Sequence, residues 1–160
     1  MLHGFMLDTV IFNRLLANPD KLERLLKFKL YATHVQLDEL SQTPQKQKKK
    51  QLIGVFEKVD AETLPTTSAA WDVSDWDQAG WGNSDGLYET LLNTLEIADK
   101  NAKKKHRDPK NRHRDVLIAE TAIRHNLTVL TEDKTLLQTI EKCGGNASSL
   151  GYLFAADNQL

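Results

Sequence analysis

Residues 111–137, N-R-H-R-D-V-L-I-A-E-T-A-I-R-H-N-L-T-V-L-T-E-D-K-T-L-L, constrain the fold more than any other stretch of the chain. They read as a helix, a tight turn, a buried strand over 127–130 and the start of a second helix. On the first helix Ile118, Ala119, Ala122 and Ile123 form the apolar stripe expected of a core-facing surface. Asp115 lies one turn before Ile118 and heads that stripe. The second helix repeats the arrangement, with Asp133 leading Leu136, Leu137 and Ile140. A carboxylate set where a buried face begins is expensive unless something compensates its charge.

The rest of the chain supplies the partners of this unit. Phe5, Met6 and Leu7 form a short apolar run that stops at Asp8-Thr9, and a helix follows through Asn13, Leu15 and Leu16. Asn18-Pro19-Asp20 breaks the chain before a further helix. Leu30 to Ala32 reads as a second strand. Thr33-His34-Val35-Gln36 then fits a capping box, opening a helix that carries Leu37, Asp38, Glu39 and Leu40. Residues 45–58 resume helical character behind a basic run. From 59 to 86 the period is lost, and this irregular insertion holds Trp71, Trp76 and Trp81. Leu87, Leu91, Leu95 and Ala98 mark an amphipathic helix, and Asp108-Pro109 opens the next element. Gly144-Gly145 is a helix stop, and a last short strand and turn are expected between 147 and 154.

Strands alternating with helices imply an α/β fold with a central, mostly parallel sheet covered on both faces. At 160 residues the chain is expected to be a single domain over 1–160. Charges nearly balance at a formal −1, so their distribution matters more than their sum. One cysteine, Cys143, excludes an internal disulfide and fits a reducing compartment. Residues 1–10 lack the basic start of a leader, and no run approaches the ~20 apolar residues of a membrane span. A soluble, cytoplasmic protein is the expectation.

In parallel sheets ligands collect at the carboxyl ends of the strands. Asp8 follows the first strand, Asp38 and Glu39 lie in the helix after the second, and Asp133 follows the strand over 127–130. Asp115 is expected to start the helix that feeds back into the sheet. Carboxylates ~4 Å apart repel by roughly 4 kcal/mol per pair at an effective dielectric of 20, so such a cluster calls for protonation or a cation. Oxygen donors alone favour a hard ion, Mg²⁺ or Mn²⁺, and such an ion suits phosphodiester hydrolysis. Helix capping is the competing role for Asp8, Asp115 and Asp133. Glu120, about 140° around the helix from Asp115, is expected on the solvent face, and Arg114 is expected to be exposed. Thr9, Asn13 and Thr131 are placed to orient carboxylates or hold metal waters, with backbone hydrogen bonding as their other role.

L-D-T before a helix, the acid-Leu pair Glu39-Leu40, D-V-L-I-A-E-T-A and L-T-V-L-T-E-D-K together resemble the PIN domain. The resemblance covers about residues 4–42 and 111–156. It implies a three-layer α/β/α fold and a metal-dependent ribonuclease, of the kind that includes VapC-like toxins of bacterial toxin–antitoxin pairs as well as RNA-processing enzymes. Its acidic quartet falls on Asp8, Glu39, Asp115 and Asp133, as catalytic groups and metal ligands, and the acid-Leu pattern selects Glu39 over Asp38. The partners implied are RNA and, for a toxin, an antitoxin or other protein; a homodimer is admitted. Lys110, Arg112 and Arg114, just before Asp115, are candidates to grip phosphates. The alternative is a non-catalytic RNA- or protein-binding module on the same fold. An aspartyl-nucleophile phosphatase would want a second Asp where Val10 stands.

Overall fold

The computed structural model describes residues 3–68, 85–104 and 108–159. Trp71, Trp76, Trp81 and His106 lie outside them. Five short strands form one sheet: β1 (Phe5–Leu7), β2 (Leu30–Ala32), β3 (Glu62–Thr63), β4 (Thr128–Leu130) and β5 (Asn146–Ser148). Their order is β3-β2-β1-β4-β5 and every pairing is parallel. Between and around them run α1 (Thr9–Ala17), α2 (Pro19–Leu25), α3 (His34–Ser41), α4 (Lys46–Val59), α5 (Leu87–Asn101), α6 (Pro109–Arg124), α7 (Lys134–Lys142) and α8 (Leu150–Asp157).

The layering follows from the two-residue period of a strand, which sends neighbouring side chains to opposite faces. Met6 and Val129 enter one core with Leu91, Leu95, Leu117 and Ile140, which belong to α5, α6 and α7. Leu7 and Leu130 enter the other with Phe12, Leu25, Leu52 and Phe154, from α1, α2, α4 and α8. Strands buried on both sides read as unbroken apolar runs, which is why the central two could be recognised from composition. The result is the three-layer α/β/α architecture.

Helix ends account for most of the chain's sharp turns. Gly144 sits at φ 84° after α7, and the N–H of Gly145 reaches back to the Ile140 carbonyl at 2.9 Å. This is a Schellman stop at the expected glycine pair. Asn126 does the same for α6 at φ 53°, with Leu127 N donating to Ala122 O at 2.8 Å. Leu127 is thereby spent on the turn, and β4 begins one residue later than expected.

Three expectations need correction. Asp108 caps α6 and Pro109 starts it, so Asp115 lies in the helix's second turn and not at its head. The two residues of β3 fall inside the segment read as aperiodic. Residues 150–157 form a helix rather than a turn, because the Ser149 hydroxyl accepts from Tyr152 N and caps the apolar run that follows.

Candidate functional site

From β1 the chain moves to β2 and β3 on one side of the sheet, and later to β4 and β5 on the other. The connections leaving β1 and β4 therefore part in opposite directions, and a crevice opens at their carboxyl ends. Asp8 is the residue after β1 and Thr131 the residue after β4. Asp8 N donates to Leu130 O at 3.0 Å, which continues the ladder by one rung. Its Oδ1 accepts from Thr9 N at 2.8 Å, and its Oδ2 accepts from the Thr131 hydroxyl at 2.6 Å. Thr131 Oγ1 in turn accepts from Asp133 N at 3.0 Å. That bond to the amide two residues on fixes the turn between β4 and the residue that caps α7.

Glu39 arrives from α3. The predicted capping box is present, with Val35 N donating to Thr33 Oγ1 at 3.1 Å and Thr33 N to Gln36 Oε1 at 2.9 Å. Gln36 also donates from Nε2 to Leu7 O at 2.8 Å, which fixes α3 against the end of β1. Three residues later on the same helical face, Glu39 accepts from the Thr9 hydroxyl and lies 3.8 Å from Arg114 Nη1. Of the neighbouring acids, Glu39 and not Asp38 makes these contacts.

Asp115 is buried at 6 % exposure on α6, and Arg114 beside it at 7 %. Arg114, expected in solvent, donates to Gln42 Oε1 at 2.7 Å and Asn111 Oδ1 at 3.1 Å while facing Glu39. Asp133 caps α7, accepting from Thr135 N at 3.0 Å and Leu136 N at 3.3 Å. It also accepts from Lys104 Nζ at 2.8 Å. Asp8 caps α1. Capping, the competing role weighed for these residues on sequence, is thus present in both. Asn13 is exposed one turn beyond Thr9 on α1.

Electrostatics tie three of the acids together. Burial pushes the Asp8 carboxyl from 3.8 up to about 6, against the lowering effect of its Thr131 hydrogen bond, and the charges of Glu39 and Asp133 add to the rise. Burial also raises the Asp133 carboxyl, but hydrogen bonds from Lys104 and Thr135 and the lysine's charge outweigh it, leaving the group below its ordinary value.

An acid absent from the sequence reading joins them. Asp99, in the last turn of α5, is 2 % exposed. It accepts from Thr135 Oγ1 at 3.0 Å and from Arg112 Nε at 3.4 Å, with Lys104 Nζ at 3.6 Å. Its spacing from Leu91 and Leu95 put it on the buried stripe of the helix, the signal that would have found it. Of the three proposed phosphate contacts, Arg112 and Arg114 thus face protein carboxylates, while Lys110 is half-buried in the first turn of α6.

Glu120 is a correction. It is wholly buried, accepting from Ser68 Oγ at 3.0 Å and from Arg124 Nε at 3.2 Å. Arg124 also grips Asp85 at 2.7 and 2.9 Å. Every residue of α6 from Arg114 to Ala122 is buried, so that stretch has no solvent face.

The donor set is carboxylate oxygen, sunk at a sheet edge, which fits a hard divalent ion in kind. Among the described residues no three His, Cys, Asp or Glu are gathered into one coordination shell as they stand. No helix among them is long and apolar enough to cross a membrane.

No family model and no curated protein sequence matches the chain. Solved structures do. PAE2754 from Pyrobaculum aerophilum superposes over 100% of both chains at 14% identity, with a TM-score of 0.53. VapBC-1 from nontypeable Haemophilus influenzae superposes over 92% of this chain and 98% of its own at 16% identity, with a TM-score of 0.51. The fold of the chain is the PIN-like three-layer α/β/α fold.

Proposed function

We propose that the chain is a Mg²⁺- or Mn²⁺-dependent endoribonuclease that hydrolyses phosphodiester bonds of single-stranded RNA, as the toxin of a toxin–antitoxin pair or as an RNA-processing nuclease. One observation carries the reading: Thr9 hydrogen-bonds both Asp8 and Glu39, and Thr131 hydrogen-bonds both Asp8 and the Asp133 amide, so three acids distant in sequence are linked at the carboxyl edge of the sheet. Asp8, Glu39 and Asp115 would hold the ion, with Asp133 supporting it. When bound, the ion supplies Lewis acidity, lowering the pKa of water and offsetting charge on the phosphate.

The chain's own groups prepare the site. A carboxylate offers about four lone-pair positions, and Thr9 N and the Thr131 hydroxyl take one on each oxygen of Asp8. Both oxygens stay oriented and keep capacity for a cation. Thr9 fixes Glu39 in the same way. Lys110 at the mouth of α6 is the basic group left to meet phosphate. The lysines that open α4, at the positive end of its dipole, add nothing to that helix's stability, in keeping with a role toward an external anion. The antitoxin partner rests on the sequence resemblance to PIN-domain toxins.

Incubating the protein with single-stranded RNA and Mn²⁺ is the test. Cleavage that Asp8→Asn and Asp115→Asn each abolish is expected; undiminished cleavage by both would reject the assignment. A second reading, a binding module without catalysis, is favoured by one feature: Lys104 and Arg114 lie against Asp133 and Glu39. It requires salt-sensitive RNA retention, indifferent to chelator, with no products.

A further inference from the structure

We infer that Lys104 is a built-in counter-cation of the acidic site, placed to compete with a divalent ion for the Asp133 carboxylate. The inference rests on the metal-site reading above and goes beyond it in naming what tunes the ion's affinity.

Backbone geometry delivers the lysine. Helix α5 closes in a Schellman motif: Lys103 N donates to Lys100 O at 3.1 Å, and Lys104 N to Asp99 O at 3.1 Å. The turn needs a left-handed residue, and Lys103 adopts φ 53° without the freedom of glycine. Lys104 is thereby anchored over Asp99 by its own amide. Its ammonium then donates to Asp133 Oδ1 at 2.8 Å and Thr135 Oγ1 at 2.7 Å, with Asp99 Oδ1 at 3.6 Å. An ammonium has three N–H donors, and three acceptors of this one cluster surround it. A solvated surface lysine is not held by backbone and side chain at once.

The neighbours sharpen the point. Asp99 is buried, and the Thr135 hydroxyl lies between it and Asp133, 3.0 and 2.8 Å from one oxygen of each, with one proton to give to either. Arg112 lies against the far oxygen of Asp99. A divalent ion drawn toward Asp133 therefore meets a positive charge already seated on one oxygen of that carboxylate. Like charges at such range repel strongly in a partly buried site, so binding the ion requires Lys104 to withdraw or to share. Lys104 is the more exposed member of its pair with Asp133, at 36% against 21%.

The experiment is a titration of the full chain with Mn²⁺ alone, read by the electron paramagnetic resonance of free ion at pH 7.5. Wild type is compared with Lys104→Gln, Lys104→Met and Lys104→Arg, each checked for cooperative unfolding in chelator. Loss of the charge in the Gln and Met variants should tighten Mn²⁺ binding about tenfold or more, the order expected for removing a unit charge within a few ångströms of the ion. Lys104→Arg, which keeps the charge, should stay near wild type. If wild type binds Mn²⁺ and the neutral variants bind equally or more weakly, Lys104 is a strut for Asp133 and the inference fails alone. If neither wild type nor the neutral variants bind the ion, the metal-dependent reading fails with it.

Discussion

Replacing Asp8 by asparagine should stabilise the fold at alkaline pH and progressively less as the pH falls. Asp8 is 4 % exposed, and burial together with the charges of Glu39 and Asp133 lifts its carboxyl from 3.8 to about 6. A group whose folded value lies above its unfolded value contributes stability that is complete below the unfolded value and is lost as the pH rises through the folded one. The whole shift corresponds to about 3 kcal/mol at 1.36 kcal/mol per unit. Between pH 4.5 and pH 8 the wild type should lose about 2 kcal/mol of that contribution, whereas the asparagine variant has nothing there to titrate. Other ionisable groups are common to both proteins and largely cancel in the difference. Urea unfolding in the presence of chelator at pH 4.5, 6 and 8 reads the difference directly. The variant's stability relative to wild type should climb by about 2 kcal/mol across the window, with the steepest change near pH 5, about midway between the unfolded and folded values. A difference flat to within about 0.5 kcal/mol would mean that Asp8 ionises freely throughout, and the crowding of acids inferred for this edge would be wrong. A stabilised protein that has lost its chemistry is the expected signature of a group kept for function at a thermodynamic cost.

Three further substitutions probe the site's hydrogen bonds and the scaffold that carries it. Thr131→Val removes the donor to Asp8 Oδ2 and the acceptor of Asp133 N, and should cost about 2 to 3 kcal/mol at pH 8 in denaturant unfolding, with Thr131→Ser recovering most of it; an unchanged midpoint for valine would show that the bridge is ornamental. Gly145→Ala would set a methyl 2.6 Å from Ile123 Cγ1 and 2.7 Å from Ile140 Cγ2, costing about 1 to 3 kcal/mol. Gly54→Ala, in α4 with nothing within 4 Å, should instead gain roughly 0.5 to 1 kcal/mol; thermal melts that fail to separate the two would contradict the packing described.

What could be read from residues alone was whatever depends on near neighbours. The strands of the central pair, the capping box at Thr33 and the glycine stop at Gly144 are local patterns, and each stands where its pattern puts it, β4 to within one residue. Asp8 and the Thr131–Asp133 pair belong to the same class, since strand ends and a threonine-to-amide bond two residues on are local events. Asp115 was recognised but misplaced along its helix, because the Asp108-Pro109 start signal lies two turns upstream. Glu120 and Arg114 were misjudged for a different reason. A helical wheel gives directions and not surroundings. Whether a face meets water depends on which distant segments arrive, here Ser68 over Glu120, Asp99 beside Arg112 and Gln42 beside Arg114. Asp99 was legible by its spacing on α5 and was passed over because no motif contained it.

The clasp that Glu120 and Arg124 form with Ser68 and Asp85 has an architectural consequence. Ser68 and Asp85, with sixteen positions between them in sequence, meet on Glu120 and Arg124, about 7.5 and 13.5 Å along α6 from Asp115. Closure entropy grows only logarithmically with length, so the length of chain joining these two anchors can vary at small entropic cost to the clasp itself. Peptide spliced between them is therefore expected to change the stability of the clasp little.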